Sequence, residues 1–132
     1  MDLSKEHYGI IYRIDPFANE TVKETFDSGW GNYKNEIYEK IIINSAQVEE
    51  LEKLVKNAIK ISLDEQLCGH TPPYAIELID YNNTYFKTSF CFECDNWVQF
   101  CNGKYHLLEL DLQNGQLLFE WFQKLLPLKT EN

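Results

Sequence analysis

The chain carries a single arginine, Arg13, among 12 basic residues, against 21 acidic ones, for a formal charge of −9. Phosphate neutralisation and base readout need clustered Lys and Arg, so this balance argues against a nucleic-acid partner. It argues equally against an anionic membrane surface. No apolar run approaches the roughly 20 residues that span a bilayer. The first residues, Met1 to His7, contain no apolar signal core, so the cytoplasm is the expected compartment. Proline and glycine are sparse, at four and six, and no Pro/Gly/Ser linker, low-complexity tract or internal repeat divides the chain. A single domain of 132 residues is expected, with flexible ends at 1–7 and 129–132.

Core material, by contrast, is plentiful: eight Phe, eight Tyr and three Trp accompany many Ile and Leu. A chain of this length buries a core without disulfides or metal as staples. The four cysteines, Cys68, Cys91, Cys94 and Cys101, are therefore expected as free thiols in a reducing compartment.

Local patterning sets the order of elements. Tyr8–Ile14 reads as a strand closed by Asp15-Pro16, Thr21–Phe26 has the composition of a short strand, and Ile37–Ile43 reads as another. Asn44 or Ser45 then caps a helix to about Lys60. Asn44 and Gln47 stand at capping-box spacing, and Val48, Leu51, Leu54, Val55, Ala58 and Ile59 form one stripe. Tyr74–Asp80 and Thr84–Cys94 read as a hairpin. A three-residue loop, Tyr81–Asn83, pairs Leu78 with Phe86 and Tyr74 with Phe90, with Asn83 left-handed; a two-residue loop at Asn82-Asn83 would set Leu78 against Lys87. Asn102-Gly103 signals a type I′ turn between Trp97–Cys101 and Lys104–Leu110, facing Phe100 with Tyr105 and Val98 with Leu107. Asn114–Leu126 is a helix apolar over most of its circumference, stopped by Pro127. The expected fold is α+β: an antiparallel sheet of about five to seven strands with two main helices packed on one face.

Chemistry-bearing motifs are few. Cys91-Phe92-Glu93-Cys94, with Cys101 and either Cys68 or a histidine, has the arithmetic of a zinc site. If the strand continues through Cys94, however, the odd separation sends the two thiols to opposite faces. A Cys101/His106 nucleophile–base pair lacks an orienting group and a cleft. His7 lies near an end, and His70 lies in a Gly-His-Thr-Pro-Pro loop. No phosphate-cradling loop, nucleophile elbow, metalloprotease helix or calcium loop is present, so neither an enzyme nor a cofactor is expected. A ligand pocket between sheet and helix is left open.

Residues Ile61 to Gly103 carry six acids against one base, Lys87, interleaved with aromatics. Tyr81, Tyr85 and Trp97 are expected to face solvent, at a loop or on the face opposite the core. Exposed rings amid carboxylates suit an interface with a basic protein, the rings anchoring and the charges steering. The residues expected to bind a partner are Asp80, Tyr81, Glu93, Asp95 and Trp97, with Trp30 between its glycines next in line.

The Cys91-Phe92-Glu93-Cys94-Asp95-Asn96 stretch, the acidic balance and the α+β pattern together resemble small bacterial immunity proteins encoded beside polymorphic toxins. The resemblance implies a cytoplasmic antitoxin that binds and neutralises a cognate toxin domain, a nuclease with a basic cleft. The alternative is a small zinc-binding structural or regulatory module built on Cys91, Cys94, Cys101 and either Cys68 or a histidine. Edge strands and aromatics would also permit a homodimer.

Overall fold

The computed structural model describes residues 7–18, 24–27, 34–60, 70–101 and 103–128. Its elements follow one another as β1 (Tyr8–Ala18), β2 (Thr25–Asp27), β3 (Lys34–Ile43), α1 (Ser45–Ala58), β4 (Tyr74–Asp80), β5 (Asn83–Cys91), β6 (Asn96–Cys101), β7 (Lys104–Glu109) and α2 (Leu112–Leu125). The strands form one seven-stranded sheet in the order β2-β3-β1-β4-β5-β6-β7, antiparallel throughout. The fold is α+β, as the patterning implies. No helix among the described residues is long and apolar enough to cross a membrane.

Both helices cover one face of the sheet. Alternation along β1, β4 and β5 presents Ile11, Tyr74, Ile76, Leu78 and Phe90 to that face, where Val48, Leu51 and Val55 of α1 and Leu118, Trp121 and Phe122 of α2 close over them. Each of these large side chains, fully buried, contributes about 1.5–3 kcal/mol. Tyr74 stacks on Phe122 at 4.8 Å between centroids and donates its hydroxyl to the Leu126 carbonyl. The indole N–H of Trp121 donates to Glu50 Oε1 at 2.6 Å, tying α2 to α1. The capping box of α1 is present: Asn44 Oδ1 accepts from the Gln47 N–H at 2.9 Å and Gln47 Oε1 from the Asn44 N–H at 3.0 Å.

The opposite face is not bare. Tyr12, Ile14, Phe26 and Ala75 make a second, smaller apolar cluster there, with Tyr12 and Phe26 rings 5.0 Å apart. Phe26 reaches it because β2 pairs with the start of β3. That pairing also extends β3 back to Lys34 from the expected Ile37. β1 likewise runs past Asp15-Pro16 to Ala18; Pro16, which has no N–H to donate, falls where the β1–β3 register shifts between Ile14 and Ala18.

The β4–β5 hairpin has the expected pairs, Leu78 with Phe86 and Tyr74 with Phe90, but a different turn. Tyr81 and Asn82, not Asn83, take positive φ, at 50° and 67°, and Asp80 pairs directly with Asn83. The loop therefore has two residues, Tyr81-Asn82, and is neither the Tyr81–Asn83 loop nor the Asn82-Asn83 loop considered from the sequence. The register recovers because a bulge between Ile79↔Thr84 and Leu78↔Phe86 leaves Tyr85 as the extra residue. Farther along, the β5–β6 ladder has only the pairs Phe90↔Trp97 and Cys91↔Asn96. Beyond them the Thr88 hydroxyl stands in for backbone: it donates to the Val98 carbonyl at 2.6 Å and accepts from the Val98 N–H at 3.2 Å. The β6–β7 register is the expected one, facing Val98 with Leu107 and Phe100 with Tyr105, and Gly103 holds φ 76° in its turn.

Candidate functional site

The residues expected to bind a partner do not form one surface. Asp80 and Tyr81 sit at the β4–β5 tip, where Tyr81 is 68 % exposed. Glu93 and Asp95 lie in the turn after β5, at the other end of the hairpin. Six positions of β4 separate the two ends, about 20 Å at strand rise. Trp97 is a correction: it is only 1 % exposed. Its pairing with Phe90 places it on the helix-covered face, so it is a core residue rather than a surface anchor. Asp95 is half-buried, and burial, reinforced by the charge of Glu109, raises its carboxyl pKa. Trp30 lies outside the described residues.

Of the cysteines, Cys91 meets the expectation of a free thiol and Cys94 does not. Cys91 is a buried free thiol, 3.5 Å from Thr71 Oγ1, whereas Cys94 is disulfide-bonded rather than a thiol. β5 ends at Cys91, so the two do not continue one strand. Cys68 and the side chain of Cys101 lie outside the described residues. Among the described residues no group of three or more His, Cys, Asp or Glu side chains is placed to hold a metal.

A buried polar row went unforeseen. His70 packs onto β5 and β6 with Nδ1 2.7 Å from Asn96 Oδ1 and Nε2 2.7 Å from Ser89 Oγ. An amide oxygen only accepts, so Nδ1 carries the proton, and the neutral ring then accepts the Ser89 hydroxyl proton at Nε2. Desolvation lowers the His70 pKa to about 4, against a smaller upward pull from Asn96. The order serine, histidine, asparagine is that of a nucleophile, its base and an orienting group. Yet all three are buried, His70 at 2 % exposure. None of them lines either surface groove described for this molecule. The row acts as a fastener that ties the start of the His70–Pro73 segment to the sheet.

A more open arrangement sits between α1 and the tip of the hairpin. Val55, Ile59, Leu78 and Phe86 floor a groove of about 540 Å³, and Glu49, Glu52, Lys53, Lys56 and Tyr85 line its sides. The bulge is what brings Tyr85 to this side. Its hydroxyl donates to Glu52 Oε1 at 2.8 Å, and its ring stacks on His7 at 5.3 Å between centroids. His7 Nε2 lies 2.9 Å from the same carboxylate oxygen. Burial, then the hydrogen bond and charge of Glu52, then the charge of Asp80 raise the Tyr85 pKa, so the phenol stays a donor. Tyr85 remains 46 % exposed. The rim itself is Glu49, Glu52, Lys53, Lys56 and Tyr85; the expected residues Asp80 and Tyr81 stand at the hairpin tip, outside its lining. The one sequence signal for the rim was the expectation that Tyr85 faces solvent.

Comparison of the chain with protein-family models, with curated proteins and with solved structures finds no match.

Proposed function

We propose that this protein is a binding inhibitor of the immunity type, which neutralises a cationic toxin domain by docking it on the groove between α1 and the β4–β5 tip. One observation carries the reading: the exposed Tyr85 and the Glu49 and Glu52 carboxylates flank an apolar floor alongside Lys53 and Lys56, with Asp80 and Tyr81 at the hairpin tip. A partner segment with an apolar side chain flanked by Lys or Arg complements that arrangement. The apolar group would cover Leu78 and Phe86, and Glu49, Glu52 and Asp80 would face the flanking cations. Tyr81 and Tyr85 supply large contact area at little rotamer cost, the usual property of interface anchors. The net charge of −9 steers a basic partner toward the surface from a distance. The action is by binding, not by catalysis.

The test is calorimetric titration of the full chain with the purified product of the reading frame beside its gene. Binding is expected, and it should weaken as salt rises. Loss of both anchors in Tyr81→Ala/Tyr85→Ala should weaken it by about 30-fold, the equivalent of about 2 kcal/mol. Absence of binding, or an unchanged affinity in the double variant, would overturn the proposal.

A further inference from the structure

A second groove, of about 750 Å³, opens at the opposite end of β4 and β5, between the end of β1 and α2. Its volume falls within the range of small-molecule sites. Phe17, Tyr38, Phe92 and Phe119 supply aromatic surface, and Asp15 and Glu93 supply carboxylates. Phe17 is 67 % exposed although it is large and apolar.

The electrostatics of this groove point one way. Arg13 is the only base among the described residues that line it. Its guanidinium is committed to Glu39 Oε1, at 2.9 Å from Nη2 and 3.2 Å from Nε, so its charge is offset locally. Asp15 and Glu93 then leave the groove net negative. The rings favour cations in their own right: the Arg13 guanidinium already lies 4.9 Å from the Tyr38 ring centroid. An anionic ligand would meet two carboxylates and a guanidinium that is already paired.

We propose that this groove is a binding site for a small organic cation, an ammonium group on an apolar body. The body lies against Phe92 and Phe119, and the ammonium faces Glu93 and Asp15 beside the rings of Phe17 and Tyr38. The site is separate from the α1 groove, and its test requires no protein partner.

The experiment is an amide-resolved NMR titration of the full chain with three probes of similar size: phenethylammonium, 2-phenylethanol and phenylacetate. Phenethylammonium is expected to half-saturate the site at about 1 mM, the affinity typical of a ligand of this size. The shifts should centre on Phe17, Tyr38, Phe92 and Glu93. The neutral alcohol should bind about fivefold more weakly and the carboxylate more weakly still. Glu93→Gln and Phe17→Ala alter exposed side chains and should each weaken phenethylammonium severalfold while the remaining spectrum stays folded. Equal binding of ammonium and alcohol, preference for phenylacetate, shifts that map elsewhere, or indifference to both substitutions would each overturn the proposal.

Discussion

Acidification should remove a defined part of the stability of this fold through one residue, His70. Its ordinary pKa of 6.5 falls to about 4 in the native state, because the buried ring is neutral between Ser89 and Asn96. Between these two values the unfolded chain binds the proton and the native chain does not. Stability from this group is therefore complete above pH 6.5 and is lost as pH falls toward 4. At 1.36 kcal/mol per unit, the loss on reaching pH 4 is about 3 kcal/mol, a large share of the 5–15 kcal/mol that holds a typical domain together. Carboxylates also titrate in this range, so the assay must isolate the histidine. Urea unfolding of the wild type and of His70→Gln, which cannot titrate, should be compared at pH 7 and pH 4. The wild-type advantage should shrink by about 3 kcal/mol between the two. In parallel, imidazole nitrogen shifts should show the Nδ1–H tautomer persisting well below pH 6. A constant difference between the two proteins, or a native His70 midpoint near 6.5, would refute the reasoning.

Two further outcomes follow from packing. Gly9→Ala should destabilise by about 1–3 kcal/mol, read as a lowered thermal midpoint, because its new Cβ would lie 3.0 Å from Leu78 Cδ2 and 3.1 Å from Ile43 Cγ1. Thr88→Val should cost about 1–3 kcal/mol for each Val98 backbone group left without a partner, and Thr88→Ser, which keeps the hydroxyl, should cost less; chemical denaturation separates the two.

Much of the fold was legible because its signals are local. The Asn44–Gln47 box, the α1 stripe, the Gly103 turn and the alternation of Tyr74, Ile76 and Leu78 each declare themselves within a few residues. The β4–β5 register was read correctly from apolar matching, although the turn that produces it was not. Matching two faces constrains which residues meet, while a loop of three and a loop of two plus a bulge give the same pairs. That ambiguity hid the fate of Tyr85, which the bulge turns toward α1. Trp97 was misplaced for a related reason: its face depends on where β6 begins and on which β5 residue it meets. The fastening of His70 was out of reach, since Ser89 and Asn96 join it only through tertiary contact. The partner-binding residues suffered most. Asp80 and Glu93 are near in sequence but stand at opposite ends of a hairpin, so an acidic stretch of chain became two separate surfaces.

The place of β1 in the sheet has a consequence for biosynthesis. β1 is made before both of its neighbours and lies in the interior, bonded to β3 on one side and to β4 on the other. Its pairing with β3 can form early, but the other flank waits for Tyr74–Asp80, which begins 56 residues after Ala18 (74 − 18 = 56). Until then a row of free amides and carbonyls beside Ile10, Ile11 and Tyr12 is open to any passing strand. Nascent or truncated chains that stop before Tyr74 are thus the species most in need of chaperone cover, whatever the stability of the finished fold.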